Sequence, residues 1–565
     1  MNTKLPKKYS VFLYKITYTE AVIKLKNFIT KISQVDKLLD KQTPLFLLSV
    51  LLLALRIPNL SEPYWYGDEG IYLTLGQSLN KGARLYSEII DHKTPLIYYL
   101  ARVQTQLNFR LLNIGWMLLT TIAFYYFAMK LLKSVKQTTF ATFIFVILTT
   151  LPWLEGNIPN GELFVLGFVM WGALILSKSN YFKNFLNPEL KIQTTKKTVL
   201  KNSIYLIVAG IFFGLGILTK VPAVLDLAVF LSIGSFSFTN SFSAKQVSKS
   251  FKTLGNRIIE LGLILFGTAI PIIASILYFI AIGSGQAYLD FGLLYNFRYA
   301  ASWQLPFTSQ LLQFLFTLQG KFLLLVVLIL FLTLLKKFFK PKAQLIMSWF
   351  GLALFASLLS NRPYPHYFIQ LVPPFALVLT LIVKTKYAYL KKLSKPSVIN
   401  ILNVASQTGL ILVAVAVMLL LNFSPYPTVK YYKNWYKLVT NQMSKEEYRQ
   451  TFDYLMTDNY KAAEIIKSSG FKDLFIWGTN PMLYALSETQ PTGRFTVSFH
   501  IKDFDAFGET ARDVVKKQPM FIVVMDNEDH PFSEFKSFLY QNYYPNLTQF
   551  DHFTLWKKNN DSFSN

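Results

Sequence analysis

Long apolar runs recur between residues 43 and 423, and short segments rich in lysine separate them. Only 16% of the residues are charged, whereas soluble proteins carry about 25%. Helical runs of this kind match the thickness of a lipid bilayer. The sequence therefore predicts a polytopic α-helical membrane protein with about eleven spans. The predicted spans are residues 43–57, 111–132, 138–152, 161–177, 203–219, 222–238, 258–282, 321–335, 344–360, 367–383 and 401–423.

Lysine and arginine are distributed unevenly between the loops that join these spans. With the N-terminus in the cytoplasm, the inner loops between residues 130 and 396 carry 22 Lys or Arg, and the outer segments between residues 57 and 366 carry six. Cytoplasmic loops of membrane proteins are enriched in these two residues. We therefore expect a multi-pass protein of the cell (plasma or inner) membrane with a cytoplasmic N-terminus. An odd number of spans then places residues 424–565 outside the cytoplasm.

Two regions flank the predicted membrane domain, residues 43–423. Residues 1–42 interleave apolar residues with lysines, which predicts an amphipathic segment on the cytoplasmic surface. Residues 424–565 alternate helical patterns with short β-type runs, which predicts a small extracytoplasmic α/β domain with a partly parallel sheet. The helical patterns lie near 446–469, 508–518 and 531–541, and the β-type runs lie at 473–477 and 519–525.

The net charge of +26 would suggest a nucleic-acid partner in a soluble protein, but its distribution excludes that reading. Residues 1–423 hold 41 Lys and Arg against 14 Asp and Glu, whereas residues 424–565 hold 16 against 17. The positive excess thus belongs to the hydrophobic part, where orientation in the membrane explains it. The chain has no cysteine, which excludes disulfides and thiolate metal sites.

The first outer loop, residues 57–100, is more polar than a connection between two spans needs to be. Asp68 and Glu69 follow the aromatic run 64–66, and a carboxylate in such a setting can act as a general base beside a stacked sugar. Acidic residues are common on outer faces and aromatic residues gather at interfaces, so a loop without a site would share part of this pattern. However, eight of the 14 acidic residues in the hydrophobic part lie in or beside outer segments, which orientation does not require. This placement favours a functional site.

The end of the same loop has a pattern that is typical of anion binding. Asp91, His92 and Lys93 directly precede Thr94, which is predicted to cap a helix over residues 95–108. A helix N-terminus with an adjacent lysine favours an anion such as a phosphate.

The run from Tyr64 to Leu100 resembles the first periplasmic loop of the C-type (GT-C) glycosyltransferases. The most similar branch contains the protein O-mannosyltransferases, the lipid A aminoarabinose transferase and their bacterial relatives. These families have an acidic pair followed by Tyr, a later Gly-x-x-x-Tyr, and then Asp-x-Lys-x-Pro. The matching residues are Asp68, Glu69, Tyr72, Gly82, Tyr86, Asp91, Lys93 and Pro95.

Weaker matches to the same families follow along the chain. They are Glu162, Lys220, Arg362 and His366, and the segment 473–495 is similar to the soluble C-terminal domain of bacterial members. The sequence departs from the family where it is shortened before Arg110, the residue that opens the second span.

The resemblance implies an inverting sugar transfer from a polyprenyl phosphate carrier to an acceptor hydroxyl on a cell-envelope lipid, glycan or protein. Asp68 would be the base, and Glu69 would support it or the donor sugar. The leaving group is a phosphate monoester, so no cofactor or metal is expected if cationic side chains stabilise it. The implied donor-phosphate ligands are Lys93, His366, Arg362 and Lys220, and the implied substrate-binding residues are Tyr72, Tyr86, Asp91, His92 and Glu162.

Two other classes of function stay open from the sequence. A transporter or flippase of lipid-linked sugars would keep ionisable residues near the middle of the membrane, and Asp226 is the clearest candidate for such a residue. A non-catalytic sensor or scaffold would use the tail as its binding module. The interiors of the predicted spans are otherwise nearly free of charge and the acidic residues cluster in outer loops, which favours chemistry at the surface over transport. The sensor or scaffold reading leaves the motif of the first outer loop unexplained.

Overall fold

The computed structural model describes residues 41–187, 195–236, 247–302, 309–335, 339–390 and 398–559. The N-terminal segment 1–42, which is predicted to be amphipathic, lies outside these residues except for its last two. From residue 41 to Thr219 the helices are α1 (41–56), α2 (Gly67–Asn80), α3 (Leu96–Leu100), α4 (Gln106–Leu132), α5 (Val135–Thr150), α6 (Gly161–Leu176), α7 (Asn180–Leu186) and α8 (Lys196–Thr219).

The next group of helices completes the hydrophobic part of the chain. It consists of α9 (Ala223–Phe236), α10 (Val247–Ala281), α11 (Gly285–Ala287), α12 (Tyr295–Ser302), α13 (Gln310–Leu315), α14 (Leu318–Leu335), α15 (Pro341–Ser357), α16 (Val372–Leu390) and α17 (Val398–Leu420). Each of the eleven ranges predicted to span the membrane coincides with one of these helices, so the predicted positions of the helices are confirmed.

Several of the helices are suited to a membrane by length and composition. Among the described residues five helices meet both criteria, and a sixth span results if α6 and α7, which meet at 79°, are counted as one. The five are Lys41–Ser61, Gln106–Leu132, Lys196–Thr219, Gly255–Ala281 and Pro365–Lys384. The chain is therefore a multi-pass membrane protein, and the count of eleven spans stays a prediction.

Arg56 explains why α1 ends where it does. Its guanidinium is buried and donates hydrogen bonds to Asn113 Oδ1 (2.8 Å) and to the backbone oxygens of Thr149 (2.9 Å) and Gly156 (2.7 Å). These acceptors lie on α4, near the end of α5 and in the turn between α5 and α6, so the arginine joins three segments of the chain at the point where the first loop begins. A buried guanidinium needs such partners because an unpaired one would be costly.

The first loop folds into α2 and the short α3, and here one prediction is wrong. The helix predicted over residues 95–108 covers only α3, and the chain is not helical again until α4 begins at Gln106. Thr94 does not cap α3; its hydroxyl instead donates to the backbone oxygen of Ile217, at 3.1 Å. α2 packs so closely on the end of α3 that a side-chain carbon at Gly76 would lie 2.1 Å from the carbonyl oxygen of Ala101. The tertiary contacts of this turn therefore override the local helix signal.

The tail forms the α/β domain that the sequence predicts. Its strands make one sheet of order β2-β1-β3-β5-β4, in which β1 pairs in parallel with β2 and β3, and β5 pairs antiparallel with β3 and β4. The partly parallel sheet is thus confirmed. The strands are β1 (Asp473–Trp477), β2 (Gln490–Pro491), β3 (Phe521–Met525), β4 (Tyr543–Pro545) and β5 (Phe553–Lys558). The helices are α18 (Thr428–Val439), α19 (Lys445–Gln450), α20 (Met456–Ser468), α21 (Pro481–Ser487), α22 (Ser498–Asp503), α23 (Phe507–Lys517) and α24 (Ser533–Asn542).

The α/β domain packs directly on the first loop. α2 lies against α21, and a side-chain carbon at Gly70 would lie 2.8 Å from the backbone nitrogen of Met482. The backbone nitrogen of Ile90 donates to the backbone oxygen of Arg494 at 2.8 Å. The domain therefore covers the loop that carries most of the predicted site residues.

Candidate active site

Asp68, Asp91 and Lys93 form a charged cluster in the first loop. The Lys93 Nζ lies 3.5 Å from Asp68 Oδ2 and 3.3 Å from Asp91 Oδ2. Asp68 belongs to the first turn of α2, where the positive end of the helix dipole favours a carboxylate. Its side chain keeps 27% of its exposed area, whereas that of Asp91 is fully buried. Asp68 is therefore the carboxylate of the pair that a ligand can reach.

Two tyrosines hold these carboxylates in place. The hydroxyl of Tyr72, one turn after Asp68, donates to Asp68 Oδ2 at 3.1 Å. The hydroxyl of Tyr98 on α3 donates to Asp91 Oδ2 at 2.6 Å and accepts a hydrogen bond from the Lys93 backbone nitrogen at 3.0 Å. The short α3 therefore serves to position Asp91.

The cluster carries full charges. Burial raises the pKa of Asp68, but the charges of Lys93 and His366 outweigh it, and the pKa lies below its ordinary value. Burial opposes the charge on Lys93 as well, yet the adjacent Asp68 and Asp91 raise its pKa above the ordinary value. Near pH 7 the site therefore holds two carboxylates and one ammonium.

Asp91 also contacts two histidines through its other oxygen. His92 Nδ1 lies 3.1 Å and His500 Nε2 lies 3.6 Å from Asp91 Oδ1. Burial lowers the pKa of both histidines, that of His500 to about 3, so both are neutral near pH 7. The ligand atoms of these three residues lie within 4.8 Å of one another, so they are the residues that could hold a metal ion here.

A pocket opens beside this cluster. The space between the protein atoms there is about 710 Å³, part of which is open to solvent. Its polar wall includes His92, Lys93, Glu162 and Lys220, and its apolar wall contains side chains from α12, α15, the turn before α9 and the turn after α15. The apolar lining residues are Val221, Pro222, Ala300, Ala356 and Leu359. The pocket thus presents both charged and apolar side chains to a ligand.

Lys220 and Glu162 lie on the side of the pocket formed by α6 and α8. Their side chains form a salt bridge, and the Lys220 ammonium lies 4.3 Å from the centre of the Tyr367 ring. Glu162 is in the first turn of α6, and Lys220 directly follows α8. The two predicted residues are therefore brought into the pocket by the packing of α6 on α8.

His366 forms a separate group with Tyr66 and Glu155. Glu155 Oε2 lies 2.6 Å from both His366 Nδ1 and the Tyr66 hydroxyl. The Nε2 atom of His366 is buried and has no hydrogen-bond partner among the described residues. A buried nitrogen in this state is suited to a ligand oxygen.

Arg362 enters the site through aromatic stacking. Its guanidinium lies 4.2 Å from the centre of the Tyr299 ring, which stacks on His92 with 4.2 Å between ring centres. Tyr299 belongs to α12 and also lines the pocket. α12 therefore forms part of the wall of the pocket.

Glu69 and Tyr86 are not part of this pocket. Glu69 is fully buried, and its two oxygens accept hydrogen bonds from Arg110 Nε (2.9 Å) and Nη2 (2.7 Å) and from Gln106 Nε2 (2.8 Å). Tyr86 is also fully buried, stacks on Tyr288, and donates to the backbone oxygen of Lys93 at 2.7 Å. These contacts allow Glu69 and Tyr86 to stabilise the loop, and their burial leaves neither side chain accessible to a substrate.

The Glu69–Arg110 pair should be essential for stability. Loss of one partner of a buried ion pair costs roughly 3–5 kcal/mol because the other charge is left unpaired. We expect Glu69→Ala to lower the melting temperature in detergent strongly, measured by intrinsic fluorescence. Glu88→Ala is the matched control, because Glu88 pairs with Arg84 on the surface of the same loop and exposed pairs contribute at most about 1 kcal/mol. Equal melting temperatures for the two variants would contradict the structural role of Glu69.

Sequence reasoning missed several residues of the site. Glu155 carried no motif. His500 comes from the α/β domain, Tyr299 comes from α12, and Tyr367 comes from the turn before α16. Asp503, also in the α/β domain, accepts a hydrogen bond from the Tyr295 hydroxyl at 2.6 Å. These contacts join segments that are far apart in the chain.

No protein-family model matches the sequence, and no curated protein matches it. Among solved structures, the chain aligns with the archaeal oligosaccharyltransferase AglB from Archaeoglobus fulgidus, solved with an inhibitory peptide and a dolichol-phosphate, at 13% identity and a TM-score of 0.41, over 86% of this chain and 70% of AglB. It also aligns with ArnT from Cupriavidus metallidurans in the apo state at 12% identity and a TM-score of 0.49, over 90% of this chain and 97% of ArnT.

Proposed function

We propose that the chain is an inverting glycosyltransferase that moves a sugar from a polyprenyl phosphate carrier to an acceptor hydroxyl at the outer face of the membrane. The observation that carries the proposal is the pairing of Asp68 with Lys93, 3.5 Å apart, beside a pocket that Lys93 lines. An acceptor hydroxyl needs a base and a departing phosphate needs a cation. A site with both groups can activate the acceptor hydroxyl and stabilise the departing phosphate in the same substitution.

In the proposed reaction Asp68 takes the proton of the acceptor hydroxyl. The acceptor oxygen then bonds to the anomeric carbon as the bond from that carbon to the phosphate oxygen breaks, and polyprenyl phosphate leaves with the bonding electrons. Configuration is inverted because attack and departure occur on opposite sides. The partly exposed Asp68 suits this role better than the fully buried Asp91 or Glu69.

The pocket suits the donor. Lys93 and Lys220 line the pocket and are proposed to bind the phosphate of the donor. His366 Nε2, which has no hydrogen-bond partner among the described residues, is proposed to give the phosphate a further hydrogen bond. The apolar wall from Val221 to Leu359 suits the isoprenoid chain, which is otherwise in the lipid. Arg362 is proposed to hold Tyr299, and through it His92, against the pocket.

The α/β domain is proposed to complete the site from the other side. His500 reaches Asp91 and His92 from α22, so the domain contributes to the shape of the site as well as covering the loop. Acceptor selection is therefore proposed to occur at the boundary between the domain and the pocket.

The contacts of Asp226 favour a transferase over a transporter. Asp226 is buried in α9, where it accepts hydrogen bonds from Trp349 Nε1 (2.7 Å) and Gln370 Nε2 (2.5 Å). A carboxylate fixed by two neutral donors acts as a structural residue between helices.

Membranes that contain the protein test the proposal directly. They would be incubated with a panel of polyprenyl phosphate sugars, and products would be profiled by mass spectrometry against membranes without the protein. We expect one donor to be consumed with release of polyprenyl phosphate and a glycosylated product. Uptake of a donor into vesicles without product would support the flippase instead.

The proposed orientation predicts the result of reporter fusions. Reporters fused after residue 190 or residue 340 should be active in the cytoplasm, because these positions lie in lysine-rich inner loops. A reporter fused after residue 440 should be active outside. A cytoplasmic signal at residue 440 would mean an even number of spans and would place the α/β domain, and the site it covers, on the wrong side for the proposed reaction.

A further inference from the structure

The first helix of the tail, α18, lies at the outer ends of the membrane helices. It begins eight residues after α17 ends and packs on the short turns Pro58–Ser61 and Pro152–Leu154, which follow α1 and α5. The Tyr432 hydroxyl donates to the backbone oxygen of Leu55 at 2.8 Å. These contacts hold α18 at the level where membrane helices leave the lipid.

A buried network fixes this position. The hydroxyl of Tyr431 donates to Glu62 Oε1 at 2.5 Å, and Glu62 lies 3.3 Å from Arg110, the partner of Glu69. Tyr431 and Asn434 form the buried face of the helix. α18 is therefore attached to the same network that fixes α2, while Val429, Lys430, Lys433 and Tyr436 are exposed.

The remaining surface of α18 divides into two stripes. Lys430, Lys433 and Lys437 are spaced three and four residues apart, so they lie on one side of the helix. Among the described residues none of the three forms a salt bridge, and α18 itself contains no acidic residue. The other stripe contains Val429 (83% exposed) and Tyr436 (58% exposed). An apolar stripe beside a lysine stripe is typical of a helix that lies in a membrane interface.

We infer that α18 binds the anionic surface of the adjacent membrane leaflet, with Lys430, Lys433 and Lys437 on lipid phosphates and Val429 and Tyr436 among the upper parts of the acyl chains. Charge complementarity favours this occupant, because three unpaired lysines match a negatively charged surface. The position of α18 directly after a membrane helix favours a lipid surface over a soluble acidic protein. The inference does not depend on the proposed glycosyl transfer.

The absence of cysteine from the chain allows one label to report on α18 in the full-length protein. Val429→Cys would carry an environment-sensitive dye, and the protein would be reconstituted in phosphatidylcholine vesicles with increasing phosphatidylglycerol. We expect a blue shift of the dye emission as phosphatidylglycerol increases, weakened by added salt. A dye at Leu547→Cys, a fully exposed position in the α/β domain, should not shift.

Charge variants distinguish binding by the lysine stripe of α18 from general electrostatic attraction between the protein and the membrane. Each lysine near an anionic surface strengthens binding about fivefold, so K430Q/K433Q/K437Q should need severalfold more phosphatidylglycerol for the same shift. The matched control is K516Q/K517Q/K536Q, which removes the same charge from exposed positions of the α/β domain. Native-like melting of both triple variants in detergent shows that they are folded.

Three results would overturn the inference. The first is dye emission that is independent of phosphatidylglycerol, and the second is an equal effect of the two triple variants. The third is a shift that develops in detergent without lipid. Such a shift would indicate that α18 contacts a second copy of the chain if it depends on protein concentration. It would indicate that α18 is a simple anion site if inorganic phosphate causes it.

Discussion

Asp68→Asn should lower the rate of sugar transfer by roughly two orders of magnitude or more, because general base catalysis contributes about that much. Asparagine keeps the size of the side chain and can still accept a hydrogen bond from Tyr72, but it cannot take the acceptor proton. Expression and melting temperature should change little, since Asp68 is partly exposed. The measurement is the initial rate of product formation with the donor that the panel identifies.

Asp290→Asn is the matched control for this variant. Asp290 is an exposed carboxylate between α11 and α12, where it accepts hydrogen bonds from Gln286 at 3.1 Å. We expect it to transfer sugar at nearly the unmodified rate. A wild-type rate for Asp68→Asn would show that Asp68 is not the base, and an equal loss in both variants would show that the effect is not specific to the site.

Lys93→Ala should weaken donor binding and slow transfer. Hydrogen bonds to charged groups contribute about 1.5–3 kcal/mol, which corresponds to a roughly 10- to 100-fold loss. Binding of polyprenyl phosphate itself, measured by calorimetry in detergent, tests this without knowledge of the sugar. Lys93→Arg should restore only part of the affinity, because a planar guanidinium differs from the compact ammonium that fits between Asp68 and Asp91.

Lys93→Ala should also change how the reaction depends on pH. The pKa of Asp68 is below its usual 3.8, because burial raises it but Lys93 and His366 lower it more. Asp68 therefore stays ionised as pH falls from neutral, and kcat/KM should not decline until pH is below that value. Loss of the Lys93 charge should raise the pKa of Asp68 and move this decline to higher pH. Lys81→Ala, from the exposed end of α2, is the control that should change neither binding nor the pH profile.

The positions of the membrane helices and the type of the tail could be predicted from the sequence. Both depend on patterns that neighbouring residues carry, namely apolar runs of membrane length and the alternation of β-type runs with helical ones. The run 473–477 became β1 and the pattern near 508–518 became α23, because in each case the local preference agreed with burial in the final fold. The motif around Asp68 and Lys93 was also recognisable, since its residues lie within one loop.

The same reasoning failed where a contact between distant segments overrides a local signal. Residues 101–105 have a pattern compatible with a helix, but the chain must turn there because α2 packs against Ala101. Thr94 is a good capping residue, yet its hydroxyl bonds to Ile217 on α8.

Asp68 and Glu69 show most clearly what the sequence determined and what only the tertiary structure decided. The sequence by itself determined that an acidic pair opens α2 in the first loop, and that a lysine follows later in the same loop. Only the tertiary structure decided which acid faces Lys93 and which is sealed against Arg110, because consecutive residues of a helix point about 100° apart and packing selects the side that is buried. For the same reason the sequence determined His500 only as one histidine in a soluble domain. Its contact with Asp91, more than four hundred residues earlier, depends on how the α/β domain packs over the loop, and no local pattern encodes that distance.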